Sequence, residues 1–169
     1  MQHNKQTILT FRLSDMRFAL YLQNIDRVIR AIAVATVPKS APSIYGIMDF
    51  HGEHIPVVNI RERFGMPEKG ISVGDRFIIT IWENRKLAVA VDQVEHLINT
   101  SGKNINRVDV SGAYGLNEKV KNSGLELIDT MSDDSGIIII YDLEKLLGSE
   151  TIVAVQELFS LMDKEGLHG

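Results

Sequence analysis

Cysteine is absent from the 169 residues. That excludes disulfides, thiolate nucleophiles and cysteine-ligated zinc or iron–sulfur sites. No stretch approaches the roughly 20 apolar residues that span a bilayer; the longest apolar runs, such as "GIIIIY" (136–141), are of strand length. The N-terminal "MQHNKQTILTF" lacks an apolar run followed by a small-residue cleavage site, so no signal peptide is expected. Together with the missing cysteine, this favours the cytoplasm. No Lys/Arg block exists and the net charge is −4, which argues against a nucleic-acid partner. What remains is ordinary globular composition, 44% apolar and 24% charged, in a chain long enough to bury a core without staples.

Catalytic signatures are missing too. There is no G-x-S-x-G elbow, no phosphate-loop lysine pattern and no G-x-G-x-x-G opening a helix. Metal-ligating types gather at His51-Gly52-Glu53-His54. Zinc-peptidase spacing needs histidines at i and i+4 on a helix, and a catalytic zinc needs a third protein ligand. In a hairpin, residues i and i+3 point to opposite faces. The plainer reading is a polar turn at Gly52-Glu53 joining strands Gly46–Phe50 and His54–Val58. Pro56 has no N–H to donate and is expected at an edge or bulge. Asp133-Asp134, among serines and glycine, reads as a solvated turn rather than an acid/base pair.

The pattern that is present is strand-like. Leu9, Phe11 and Leu13 alternate with Thr10 and Arg12, Ser14-Asp15 supplies a turn, and Phe18, Leu20 and Leu22 return. A second hairpin runs through "RFIITIWENRKLAVAVDQV" with Glu83-Asn84 at its turn, and Trp82 beside it reads as core or rim packing. A shift of 69 positions lays Phe18–Leu22 over Leu87–Val91 and Ile25–Ile29 over Val94–Ile98. A shift of 83 lays Ile55–Gly65 over Ile138–Gly148, each a strand, a capping residue (Asn59, Asp142), a short helix and glycine. Glu62 follows Asn59 at capping-box spacing. The chain therefore reads as two copies of one β-rich unit. The second copy carries an insertion at Asn99–Gly124, which reads as a long loop. Such units usually close into barrels or sandwiches. In the tail, Ile152, Val155, Leu158, Phe159 and Met162 follow helical spacing, so an amphipathic helix is expected to pack on one of the barrels.

The order of these elements resembles the CheW family of bacterial chemotaxis adaptors, over roughly Thr7 to Leu147. The most specific stretch is Gly46-Ile-Met-Asp-Phe-His-Gly52, then Ile55-Pro-Val-Val-Asn-Ile-Arg61, ending Phe64-Gly65. "LAVAVDQVEHLI" and "IIIIYDLEKLLG" resemble the family's second-barrel segment and its closing strand and helix. The resemblance implies a mainly β chain of two SH3-like five-stranded β-barrel subdomains sharing a core. These occupy residues 7–148, divide near 66–75 with the chain free to cross over, and precede a helix and tail at 149–169.

It further implies a non-catalytic scaffold without cofactor or metal. That scaffold couples the cytoplasmic tip of methyl-accepting chemoreceptors to the regulatory domain of the histidine kinase CheA. It works in the cytoplasm, recruited to membrane-associated receptor arrays, without inserting in the membrane. The receptor tip lies in an apolar groove between the barrels, and the kinase contacts barrel ends. By position, the implied partner-binding residues are Ile25, Val28, Gly46, Phe50, His51, Val94 and Leu97. The chain departs from the family pattern at His51, where arginine is expected, and at Asp49, where asparagine is expected. Asn59 replaces an aspartate and Ala88 a glycine. These departures point to a second reading, a divergent paralogue tuning another motility or two-component pathway. A small-ligand or metal-dependent barrel enzyme using His51, Glu53 and His54 is a third.

Overall fold

The computed structural model describes residues 6–109 and 127–167. Strands β1 (Thr7–Leu13) and β2 (Met16–Tyr21) form the first hairpin. Strands β3 (Ile25–Arg30), β4 (Val34–Ala35), β5 (Ile44–Phe50) and β6 (Glu53–Val58) follow. The second copy repeats this with β7 (Arg76–Trp82), β8 (Arg85–Val91), β9 (Gln93–Asn99), β10 (Asn106–Asp109), β11 (Leu127–Asp133) and β12 (Gly136–Tyr141), then helix α1 (Leu143–Lys164).

The strands make two six-stranded sheets, ordered β10-β11-β12-β2-β1-β9 and β4-β5-β6-β8-β7-β3. The two orders are the same order, strand for counterpart strand. The registers agree as well. Phe11 faces Phe18 where Thr80 faces Leu87. Ile140 pairs in parallel with Ala19 where Val57 pairs with Ala88. Both β1–β9 and β7–β3 carry a bulge at the same place. The duplication read from apolar spacing is thus a duplication of architecture.

One feature differs from plain repetition. Strand β3 leaves the first hairpin to pair with β7, and β9 leaves the second to pair with β1. The copies exchange their third strands, so the boundary of the sequence repeat is not the boundary of a sheet. Residues 66–75 join β6 to β7 within one sheet. Each sheet has six strands rather than the five expected, because a short outer strand, β4 or β10, is added. Strand β10 forms inside the stretch expected to be all loop; residues 110–126 of that stretch lie outside the described residues.

Burial explains why the hairpins are so apolar. The expected alternation in β1 gives way to burial on both faces, with Ile8 and Thr10 as buried as Leu9 and Phe11. One face of each hairpin lines its own sheet's inner cluster. Ile8, Ala19, Met131, Ile138 and Ile140 do so in the first sheet, and Phe77, Ala88, Met48, Ile55 and Val57 at the counterpart positions in the second. The other face builds a shared core of Leu9, Phe11, Phe18 and Leu20 against Ile78, Trp82, Leu87 and Val89. Buried Thr10 is tolerated because its hydroxyl donates to the His96 carbonyl and accepts from the His96 N–H across the β9 bulge.

The capping expectations divide. Asp142 caps α1 by accepting from the Lys145 N–H at 2.8 Å. Asn59 accepts from the Arg61 N–H, but residues 61–65 form a tight turn, not the expected short helix. That turn is closed by Phe64 and Met66 N–H groups, both donating to the Arg61 carbonyl. Gly148, at φ 77°, breaks α1 without ending it. A Cβ there would lie 2.0 Å from Arg63 Nη1, and Arg63 Nη2 donates to the Lys145 carbonyl. Beyond the break, α1 buries Thr151, Val155, Leu158, Phe159 and Met162. It lies on the shared core rather than on one barrel. The Arg85 guanidinium stacks 3.9 Å over Phe159 and pairs with Asp163. Pro56 sits in β6, an interior strand; the parallel ladder to β8 starts only at Val57, which spares the missing donor.

Candidate partner-binding surface

The β5–β6 hairpin turns one residue earlier than its sequence suggests. Phe50 pairs with Glu53, and His51-Gly52 are the two turn residues, at φ 54° and 84°. Positive φ at both positions matches the right-handed twist of the strands. Asp49 Oδ1 accepts from the Gly52 N–H at 2.7 Å, which fixes the turn. The three ligands of the metal reading go separate ways. His51 is exposed with its ring edge-on to Phe50 at 4.4 Å. Glu53 accepts from Lys86 Nζ at 2.7 Å. His54 lies in a groove of about 630 Å³ with Val34, Val37, Ile47, Leu161 and Met162, and its Nδ1 is buried without a hydrogen-bond partner. Among the described residues no three metal-ligating side chains gather.

Phe50 closes one end of the second sheet's inner cluster. Arg27 of β3 reaches across, its guanidinium 5.7 Å from the Phe50 ring centroid, while its Nε–H donates to Asp26 Oδ2 at 2.9 Å. Strands β3 and β5 lie near opposite edges of the sheet order, so this contact shows how strongly the sheet coils. Ile81 of β7 is 46% exposed at the same end. The surface there is apolar and aromatic, rimmed by Arg27 and the Lys86–Glu53 pair.

The first sheet's counterpart end is sealed by charge. Arg17, buried, forks onto Asp133 at 2.6 and 2.9 Å and onto Glu95 at 2.9 Å, and Glu95 also takes Arg12. The hydrogen bonds from Arg17 pull Asp133 down to about 2. For Glu95, burial alone would raise the pKa, but the Arg17 and Arg12 hydrogen bonds outweigh it and lower the value. A second network pins the turn after β6. Arg61, buried, donates to Asp92 and to Ser14 Oγ, and Lys69 bridges Asp92 and Asp75. Burial pushes Asp92 up, and hydrogen bonds from Arg61, the Ser14 N–H and Lys69 bring it below its usual value. Both networks join residues far apart in sequence, so no local pattern signals them.

The remaining sequence-derived candidates occupy β3, β5 and β9. Ile25 and Val94 are counterparts, and both pack half-buried against the shared core. Val28 and Leu97 are counterparts further along the edge strands, 37% and 60% exposed, facing Ile78 and Leu9 respectively. Two exchanged edge strands thus carry the same apolar pair. Gly46 stands apart: at φ 148° its Cβ would fall 2.0 Å from the Ala35 carbonyl oxygen, so it lets β4 close on β5. Arg27 and Ile81 join this surface though the sequence did not single them out.

Comparison with known proteins decides the family. The model of the CheW-like domain matches residues 7–151. The chain belongs to the CheW-like domain family. The Treponema pallidum chemotaxis protein CheW is 21% identical over 156 residues, covering 89% of this chain and 87% of that protein. The Thermotoga maritima chemotaxis protein CheW is 25% identical over 148 residues, covering 86% and 89%. The fold matches the scaffolding protein TtCheW from Thermoanaerobacter tengcongensis with a TM-score of 0.67 at 23% identity, over 87% of this chain and 95% of that one. Most of α1, the part past Thr151, lies beyond the matched domain although it closes the shared core. Among the described residues no helix is long and apolar enough to cross a membrane.

Proposed function

We propose that this chain is a non-catalytic adaptor that couples methyl-accepting chemoreceptors to the histidine kinase CheA. The observation that carries the reading is the contrast between the two sheet ends. Where the first sheet sets four charged side chains on one another, the second leaves Phe50 half-buried and Ile81 exposed beside Arg27. An exposed apolar and aromatic surface with a polar rim is what a docking site requires. The kinase regulatory domain is assigned to this end, with Phe50 and His51 in contact. The receptor tip is assigned to the ledges of β3 and β9, on Ile25, Val28, Val94 and Leu97. Weak single contacts suffice, because an array links many of them. The protein works in the cytoplasm, held at membrane-associated arrays by these partners.

His51 favours a second reading at the same surface, a divergent paralogue serving another motility or two-component pathway. An exposed imidazole replaces the always-charged fork of the arginine expected there. The test is co-precipitation of the full chain with CheA regulatory domains and receptor cytoplasmic fragments from the same cell. Retention of both supports coupling, and retention of neither sinks it. His51→Arg is expected to leave unfolding unchanged and to hold or strengthen kinase retention; weaker retention by the arginine variant would favour the divergent pathway.

A further inference from the structure

We infer that the outer end of the β3 ledge is a carboxylate-binding site for an acidic segment of a protein partner, held by Arg30 and Arg76. The two arginines are directly opposed across β3 and β7, immediately after the Ile29–Phe77 pair. Directly opposed residues share a face with their side chains about 5 Å apart, and like charges there are destabilising. The chain contains another such pair, Arg12 opposite Arg17, but that one is neutralised by Glu95 and Asp133. Among the described residues no carboxylate pairs with Arg30 or Arg76. Arg76 Nη1 is held by the Gly74 and Asp75 carbonyls at 2.9 and 3.1 Å, which orients the guanidinium without cancelling its charge. The Asp75 carboxylate is engaged elsewhere, by Lys69 Nζ and the Ser72 N–H. Arg30 is exposed.

The counterpart positions in the first sheet are Asn99 opposite Thr7, a neutral pair in the same register. The fold therefore does not need cations here. A costly, preoriented pair of forks matches planar carboxylates. Val28, two residues before Arg30 on the same face and exposed, adds an apolar contact beside them. Strand β3 comes last in the strand order, and its Val28 and Arg30 side chains are open to a partner. The absence of any basic block elsewhere argues for a protein carboxylate rather than a nucleic-acid phosphate. This site adds a charge requirement to the β3 ledge assigned above to the receptor.

The test uses the double variant Arg30→Asn, Arg76→Thr, which installs the first sheet's own residues. Its melting temperature is expected to equal or exceed the wild type's; a fall would show that the pair does structural work and would overturn the proposal. Titration of the full chain with a synthetic peptide alternating Glu and Val should shift the arginine Nε–H NMR signals of Arg30 and Arg76. A Lys/Val peptide should not. Equal responses to both peptides, or a response confined to other arginines, overturns the site. With the receptor fragment, the variant is expected to bind at least about tenfold more weakly, with a shallower salt dependence. Wild type and variant binding the receptor fragment equally would refute the site and leave the adaptor reading standing. If wild type bound the acidic peptide but no receptor fragment, the adaptor assignment would fail and the site would stand.

Discussion

The two ends of this duplicated molecule are built on one register and differ in almost every side chain. Arg12, Arg17, Glu95 and Asp133 close the first sheet. Their counterparts in the second are Ile81, Lys86, Asp26 and Phe50. In the first, the fork of Arg17 satisfies two carboxylates and is itself buried. In the second, Lys86 turns to Glu53, Asp26 to Arg27, and Phe50 stays partly open. A duplicated scaffold allows such a division: one copy's end is committed to cohesion, which frees the other's for contact. The backbone is the same in both, so function here is decided by side chains set on equivalent strands.

The largest effect expected is the one that breaks the sealed end. Arg17→Met leaves Asp133 without its cation and the largely buried Glu95 with Arg12 alone, and should cost about 3 kcal/mol in denaturant unfolding. Lys86→Met at the open end removes a solvated pair and should cost less than about 1 kcal/mol. Similar losses at both ends would erase the distinction drawn between them. Next in size is Gly46→Ala, expected to cost about 2 kcal/mol, from a disfavoured φ and the collision with the Ala35 carbonyl. Its counterpart in the first sheet is Asp129, so the requirement for glycine belongs to the close approach of β4 alone.

Acid should separate the ends further. Asp133 titrates at about 2 in the folded chain, below the ordinary value of about 3.9. Its contribution to stability is complete above about pH 4 and is lost as pH falls toward 2. Glu95 is shifted in the same direction. The melting temperature of the wild type should therefore drop steeply between about pH 4 and pH 2, and that of Arg17→Met should drop less. Parallel curves would show that the network does not set the acid limit.

Why one end was legible from the sequence and the other was not follows from the same chemistry. Strand positions and the duplication could be read because apolar spacing is a local property, repeated at Phe18–Leu22 and Leu87–Val91. The exchange of β3 and β9 could not. Both hairpins offer the same pattern to an incoming strand, and global topology chooses between them. Phe50 and His51 came from the family pattern, but Arg27 and Ile81 are single exposed residues in strands and carry no local signal. Arg17 meets Asp133 116 positions away, a pairing that only the closed fold brings about. The helix expected after Asn59 failed because the capping oxygen closes on Arg61, whose guanidinium is drawn to Asp92 and Ser14. The second copy keeps its helix because α1 continues across Gly148 onto the shared core.

The smallest effect expected concerns the turn at residue 51. A histidine at φ 54° carries the crowding of Cβ against the carbonyl, a cost of about 1 kcal/mol that asparagine, which can hydrogen-bond locally, largely avoids. The first sheet's turn avoids it differently, placing positive φ on Gly136. His51→Asn should therefore stabilise the chain, by about 0.5 kcal/mol once the edge-on contact with Phe50 is given up. A gain in stability with a loss of kinase retention would mean that the imidazole is kept at this strained position for the partner. A loss of stability would mean that His51 serves Phe50, and that the open end is held together from within as the sealed end is.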